Sequence, residues 1–201
     1  MQIDPAEVAR LILAGQAPPP AWIPHIVELR LERSYITDLA PLSALTALRR
    51  LLLTRSRISD IAPLAPLTRL QRLHLSFTAV ADLSALAAMA ELEACFLTGS
   101  LVDDASPLAG LLRLERLDLG GTRIADAAPL ARLHRLRSLD LSETRITDVA
   151  ALCGLTELQY LDLSGTAVTD LSPLAGLHRL RWLYVSGERG RELSPLRPAV
   201  S

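Results

Sequence analysis

The sequence predicts an α/β solenoid: a stack of short parallel strands, each followed by a tight helical return, with a helix closing the N-terminal end. Three observations predict it. The chain repeats every 22 residues, so that "LDLSGTAVTDLSPL" at 161–174 is preceded by "LDLSETRITDVAAL" at 139–152 and "LDLGGTRIADAAPL" at 117–130. Apolar residues fall at positions 1, 4, 7, 9, 14, 17 and 20 of each period, as in Leu133, Leu136, Leu139, Leu141, Ile146, Val149 and Leu152. Position 16 is acidic in every period: Asp38, Asp60, Asp82, Asp104, Asp126, Asp148, Asp170 and Glu192. A recurrence at fixed spacing is the signature of repeat architecture, so it frames every motif inside it.

The first element is the cap. Asp4-Pro5-Ala6-Glu7 places an N-cap acid before a proline at the first helical position and an acid three residues after the cap, while Gly15 offers a stop. A helix from about Pro5 to Ala14 follows, burying Val8, Leu11 and Ile12. The stretch "APPPAW" then runs extended and presses Trp22 onto the first coil. The cap spans 1–22, eight 22-residue coils begin at 23, 45, 67, 89, 111, 133, 155 and 177 within a repeat domain of 23–198, and 199–201 is a tail.

In each coil, positions 7 and 9 have the two-residue period of a strand, and 14, 17 and 20 have the wider spacing of a tight helical turn. One coil cannot bury its leucines alone, whereas stacked coils share one core. Position 16 reads as the N-cap of the return turn, its carboxylate accepting from the N–H at position 18. Proline at position 19 (Pro41, Pro63, Pro107, Pro129, Pro173, Pro195) falls in the first turn, where a missing N–H costs little. An acid present eight times is a building block, since a catalytic acid is needed once.

Residues 23 to about 196 resemble the bacterial leucine-rich repeats of the 22-residue, internalin-like type, which "LQYLDLSGTAVTDLSPLAGL" matches nearly throughout. The resemblance implies a right-handed leucine-rich repeat solenoid, with a curved parallel β-sheet on its concave face and short helical or 3-10 turns on its convex face. It also implies a non-catalytic protein-binding role. One departure is visible: where these repeats place Asn at position 12, this chain has Ser34, Ser56, Thr78, Ser100, Thr122, Thr144, Thr166 and Glu188. A hydroxyl has one donor where an amide has two, which puts the strength of the polar ladder in question.

Composition excludes several functions. All 21 basic residues are Arg, Lys and Asn are absent, and 44 residues are Leu, a usage that suits a GC-rich bacterial genome. Without Lys there is no P-loop lysine and no Schiff base. A net charge of −1 gives no global attraction to nucleic acid or an anionic membrane. No apolar run nears the roughly 20 residues of a membrane span. The N-terminus carries Asp4 and Glu7 ahead of its short apolar stretch and does not read as a signal peptide, so a cytoplasmic protein is expected, and it is expected to be a monomer. Cys95 and Cys153 are too far apart in the stack to bridge, and the four histidines show no ligand spacing, so neither metal nor cofactor is expected.

Position 8 lies between the two inward strand residues and faces outward on the sheet. It reads Arg30, Leu52, His74, Phe96, Asp118, Asp140, Asp162 and Tyr184. Parallel strands are about 4.8 Å apart, so the three aspartates form a ladder that raises its own pKa values and attracts a cation, a metal or a partner's Arg or Lys. The alternative is pairing of these acids with Arg116, Arg123 or Arg145. Positions 6 and 11 add Arg50, Arg72, Tyr160 and Trp182, and Arg33, Arg55 and Phe77. The face thus divides into an arginine-rich zone over coils one to three, an apolar zone around Leu52, Phe77 and Phe96, an acidic zone over coils five to seven, and an aromatic end.

The expected function is a protein–protein interaction module whose concave face, through Arg50, Arg72, His74, Phe77, Phe96, Asp118, Asp140, Tyr160, Asp162, Trp182 and Tyr184, binds a protein or peptide. Trp182 and Tyr184 could instead only shield the sheet edge. The partner's origin, bacterial or host in the manner of an effector, stays open. Two weaker classes remain: an enzyme built on His74 with Ser76, which lacks an orienting acid, and an anion or nucleic-acid binder using Arg30, Arg33, Arg50, Arg55 and Arg72, with which pairing to Glu28 and Glu32 competes.

Overall fold

The computed structural model describes residues 3–185. The cap forms as the sequence dictates. Helix α1 spans Pro5–Leu13, with Asp4 at the N-cap accepting from the Ala6 N–H at 2.9 Å. At its other end Gly15 adopts φ +73°, its N–H reaching the Ile12 carbonyl and that of Gln16 the Leu11 carbonyl, the paired bonds of a Schellman stop. Val8 and Ile12 are buried, while Leu11 is only half-buried because it lies at the edge of the apolar stripe. The following segment is not extended throughout. A turn with the Trp22 N–H on the Pro19 carbonyl leads into a 3-10 turn at Ile23–His25, and Trp22 packs half-buried against the core.

Among the described residues eight strands follow: β1 (Glu28–Arg30), β2 (Arg50–Leu52), β3 (Arg72–His74), β4 (Ala94–Phe96), β5 (Arg116–Asp118), β6 (Ser138–Asp140), β7 (Tyr160–Leu163) and β8 (Trp182–Val185). They form one sheet in sequence order, every pair parallel and offset by one period, as in Leu51↔Leu73 and Asp118↔Asp140. Short 3-10 turns, from Ala40–Leu42 to Ser172–Gly176, make the opposite face. Leucines such as Leu51, Leu73 and Leu139 are fully buried, each worth about 1.5–3 kcal/mol by burial. This is a leucine-rich repeat solenoid.

The position-16 acids make the bond to the position-18 N–H that the sequence implies. Asp38, Asp60, Asp82, Asp104, Asp126, Asp148 and Asp170 each accept from the N–H two residues on, at 2.7–2.8 Å. The residue flanking each 3-10 turn is position 17, so the bond is an Asx-turn leading into the helical return. Glu192 and Pro195 lie outside the described residues, as do Glu188 and the degenerate end of the eighth period.

Among the described residues, position 12 builds no ladder between coils. Ser34, Ser56, Thr78, Thr122, Thr144 and Thr166 each donate to the carbonyl three residues back in their own coil, at 2.6–2.7 Å. Ser100 Oγ is buried without a partner. Neighbouring coils are instead tied through position 11, whose N–H donates to the position-10 carbonyl of the next coil, as Phe77 does to Thr98 at 2.7 Å.

Candidate functional site

Because Leu at positions 7 and 9 must point into the core, position 8 is forced onto the open sheet face in every coil. The parallel register then aligns Asp118, Asp140 and Asp162 on adjacent strands, with Tyr184 completing the row on β8. None of the three carboxylates pairs with Arg116, Arg123 or Arg145, since among the described residues no ion pair joins them. Each is anchored by its own turn: Asp118 accepts from the Gly120 N–H at 3.0 Å, Asp140 from the Ser142 N–H at 2.8 Å and hydroxyl at 2.6 Å, and Asp162 from the Ser164 N–H at 2.8 Å.

The second oxygen of Asp118 accepts from Thr98 at 2.7 Å, and Thr98 accepts a longer bond, 3.4 Å, from Ser76. Burial raises the Asp118 pKa above the usual carboxylate range against the pull of these donors, and the charges of Asp140 and Asp162 add to the rise. Gly120 leaves the room: a Cβ there would come within 2.9 Å of Ser142 Oγ and 3.1 Å of Asp140 Oδ1.

The aromatic end adjoins the ladder. Tyr160 pairs in register with Trp182, its ring lies 5.6 Å from that of Tyr184, and its hydroxyl reaches Asp162 at 3.3 Å. Burial, with the charges of Asp162 and Asp140, pushes the Tyr160 phenol up to about 12, so it stays a proton donor at neutral pH. Trp182 is 43% exposed.

Toward the N-terminal end, His74 stacks on Phe96 with ring centroids 4.3 Å apart, and burial lowers its pKa below the usual histidine value. Ser76 turns to Thr98 and makes no bond to His74, so the nucleophile–base contact that acyl chemistry requires is missing there. Glu28 holds two of the arginines, Arg30 at 2.8 Å and Arg50 at 3.1 Å, and Arg72 has no ion-pair partner among the described residues. Cys95 is buried, which pushes its thiol up to about 12, while Cys153 is free at the surface. Among the described residues, no three His, Cys, Asp or Glu converge as a metal ion would need, and no helix is long and apolar enough to cross a membrane.

Phe77 follows β3 in the turn with φ +57°, and its ring lies over Gly99 and under the Arg55 guanidinium at 5.0 Å. The position-11 column is left-handed in every described coil with a recorded value, which the glycines at 99, 121 and 165 signalled in the sequence. The Asx bonds of the position-8 aspartates also had a signal, the Asp-x-Ser spelling of Asp140 and Asp162, which Asp82, Asp104 and Asp170 share at position 16.

Comparison with known proteins agrees with this architecture. Two matches to the family described as Leucine Rich repeats (2 copies) cover residues 112–154 and 134–176. The crystal structure of internalin C2 from Listeria monocytogenes is 31% identical, with a TM-score of 0.78, over 82% of this chain and 74% of that one. The chain belongs to the internalin-like leucine-rich repeat proteins. A second Listeria monocytogenes internalin, inlF, is 25% identical with a TM-score of 0.65, over 90% of this repeat protein and 67% of its own chain. The repeat ectodomain of a plant membrane receptor kinase from Arabidopsis thaliana, solved in complex with CASPARIAN STRIP INTEGRITY FACTOR 2, shares the fold at 21% identity and a TM-score of 0.71, over 80% of this chain and 21% of that one. No curated protein sequence matches. Leucine-rich repeats commonly serve as protein–protein interaction modules and are typically non-enzymatic.

Proposed function

We propose that this internalin-like protein is a non-catalytic binding module that takes a protein or peptide on its concave sheet face, with the binding energy concentrated at Tyr160, Trp182 and Tyr184 beside Asp118, Asp140 and Asp162. One observation carries the reading. Three half-buried carboxylates stand in register with no cation paired to them among the described residues, and exposed aromatic surface lies next to them. A partner's Arg or Lys would supply the missing charge and lie against the rings, while an apolar anchor would cover Trp182. Phe96, His74, Arg50 and Arg72 form the remainder of the face, and the arginines act on encounter rate. Phe77, in the turn that follows β3, continues this face. The net charge of −1 weighs against nucleic acid, and the protein is read as a cytoplasmic monomer.

The test pairs binding with stability. A partner is captured from the native organism with the intact protein as bait, identified by mass spectrometry and titrated calorimetrically. Trp182→Ala lowers its affinity by about 2 kcal/mol or more and leaves the melt near wild type. A lowered melting temperature with unchanged affinity would reduce Trp182 to an edge shield and withdraw the site.

A further inference from the structure

The backbone at position 11 is left-handed in seven coils: φ is +54° at Arg33, +59° at Arg55, +57° at Phe77, +63° at Gly99, +66° at Gly121, +55° at Glu143 and +73° at Gly165. Glycine takes this conformation freely, whereas any residue with a Cβ crowds the following carbonyl. The chain contains its own control: the coils with Gly99 and Gly121 complete the same turn and the same bond to the next coil, and Gly165 takes the same backbone conformation. Folding therefore does not require Arg33, Arg55 and Phe77 in three successive coils, and strain kept where glycine would serve points to a use for the side chains.

We propose that this rim of coils one to three is a second docking surface, separate from the aromatic end of the sheet, and that it takes an acidic segment of a protein partner that also carries apolar side chains. Arg55 lies 5.0 Å over the Phe77 ring, and Phe77 in turn occupies the space above Gly99, where a Cβ would meet the ring at 2.8 Å. Two residues further on, the pairing recurs: Arg57 lies 4.7 Å over Tyr35. These two rings are among the most exposed apolar groups, Tyr35 at 79% and Phe77 at 50%.

Charge decides the partner's chemistry. Among the described residues no carboxylate lies within ion-pair distance of Arg33, Arg55 or Arg57. A notch of about 390 Å³ is lined by Glu32, Arg33, Thr54 and Arg55, so one acid faces it against two arginines. A guanidinium laid over a ring keeps its N–H edge free for a carboxylate, and the ring beside it offers apolar contact. Nucleic acid fits less well. Each ring already carries a guanidinium where a base would stack, and the chain as a whole is negative.

The test uses glycine, the residue other coils place at this position. A dye-labelled synthetic peptide repeating Glu-Glu-Phe is titrated against the whole protein by fluorescence anisotropy, with a single-stranded oligonucleotide of equal charge in parallel. The intact protein binds the peptide, more weakly as salt rises. The combined Arg33→Gly, Arg55→Gly and Phe77→Gly variant melts no lower than wild type and loses at least tenfold in peptide affinity. Glu143→Gly, which relieves the same backbone strain in coil six, and Trp182→Ala, on the sheet face, leave the peptide affinity unchanged. No peptide binding by the intact protein, equal binding by the triple variant, an equal loss in Glu143→Gly, or tighter binding of the oligonucleotide would each overturn the proposal.

Discussion

Asp104 and Asp170, on the return turns, and Asp118, on the sheet face, make the same local bond to the N–H two residues on, at 2.8, 2.8 and 3.0 Å. Their pKa values nevertheless move in opposite directions. The exposed pair is lowered, in Asp104 first by the Ser106 hydroxyl and in Asp170 first by the Ser172 N–H, whereas burial raises Asp118. The turn bond is thus a property of the chain's local spelling, and the reactivity of the acid is a property of what the solenoid stacks around it. An acid in water that only caps a turn adds stability. One that caps a turn beneath two like charges holds a stored penalty that an incoming cation can relieve.

The widest gap between the regions appears on removal of one acid from each. Asp148→Ala deletes a turn bond made in solvent and destabilises by about 1 kcal/mol, with partner binding unchanged. Asp140→Asn keeps an acceptor for the Ser142 N–H and hydroxyl but removes the central charge of the ladder. It leaves the melt level with wild type or raises it, and it weakens a cationic partner. Thermal melts of both variants beside a binding titration check this. Equal loss of stability in the two would show the ladder to be three more turn bonds of the same kind, with no stored repulsion.

A smaller effect tests the pKa shift itself. A carboxyl whose folded pKa is raised binds more protons in the native than in the unfolded state between its unfolded value, about 3.9, and its folded one. Stability therefore falls as pH rises through that window. Asp118→Asn should flatten this part of the curve of melting temperature against pH. His74 works in the opposite sense: its lowered pKa makes stability rise with pH up to about 6.5, so His74→Gln should flatten a different, higher window. A curve unchanged by Asp118→Asn would remove the electrostatic difference between turn and sheet acids.

Much of this is legible in the sequence, for physical reasons that also mark the limit. The 22-residue phase and the core could be read because Leu51, Leu73 and Leu139 have one place to go, and the position-16 acids because seven copies share one environment. The sheet face was legible as a set of outward residues, but not in its contacts. Thr98 reaches Asp118 across 20 residues of sequence, and Glu28 reaches Arg50 across 22, pairings that only the register creates. The left-handed turn at Phe77, just past the end of β3, is a backbone feature that a reading of outward side chains does not show. The glycines in the same column of other coils carried that information, visible when the column is read for backbone conformation as well as for side chains.

The smallest effect concerns how far either kind of acid is felt. In a solenoid each coil touches only its neighbours, so stability is close to a sum of coil and interface terms. The turn of Asp60 and that of Asp148 are four coils apart, roughly 19 Å at about 4.8 Å per strand, and they share no partner. Combining Asp60→Ala with Asp148→Ala should therefore cost the sum of the single effects to within about 0.5 kcal/mol. On the sheet face the same design should fail: Asp118→Asn and Asp140→Asn act on one repulsion between adjacent strands, so the second removal gains less than the first. Chemical denaturation of the four single and two double variants measures both couplings. Additivity on the sheet face equal to that on the turns would mean that Asp118 and Asp140 do not sense each other, and the ladder would then be three independent caps.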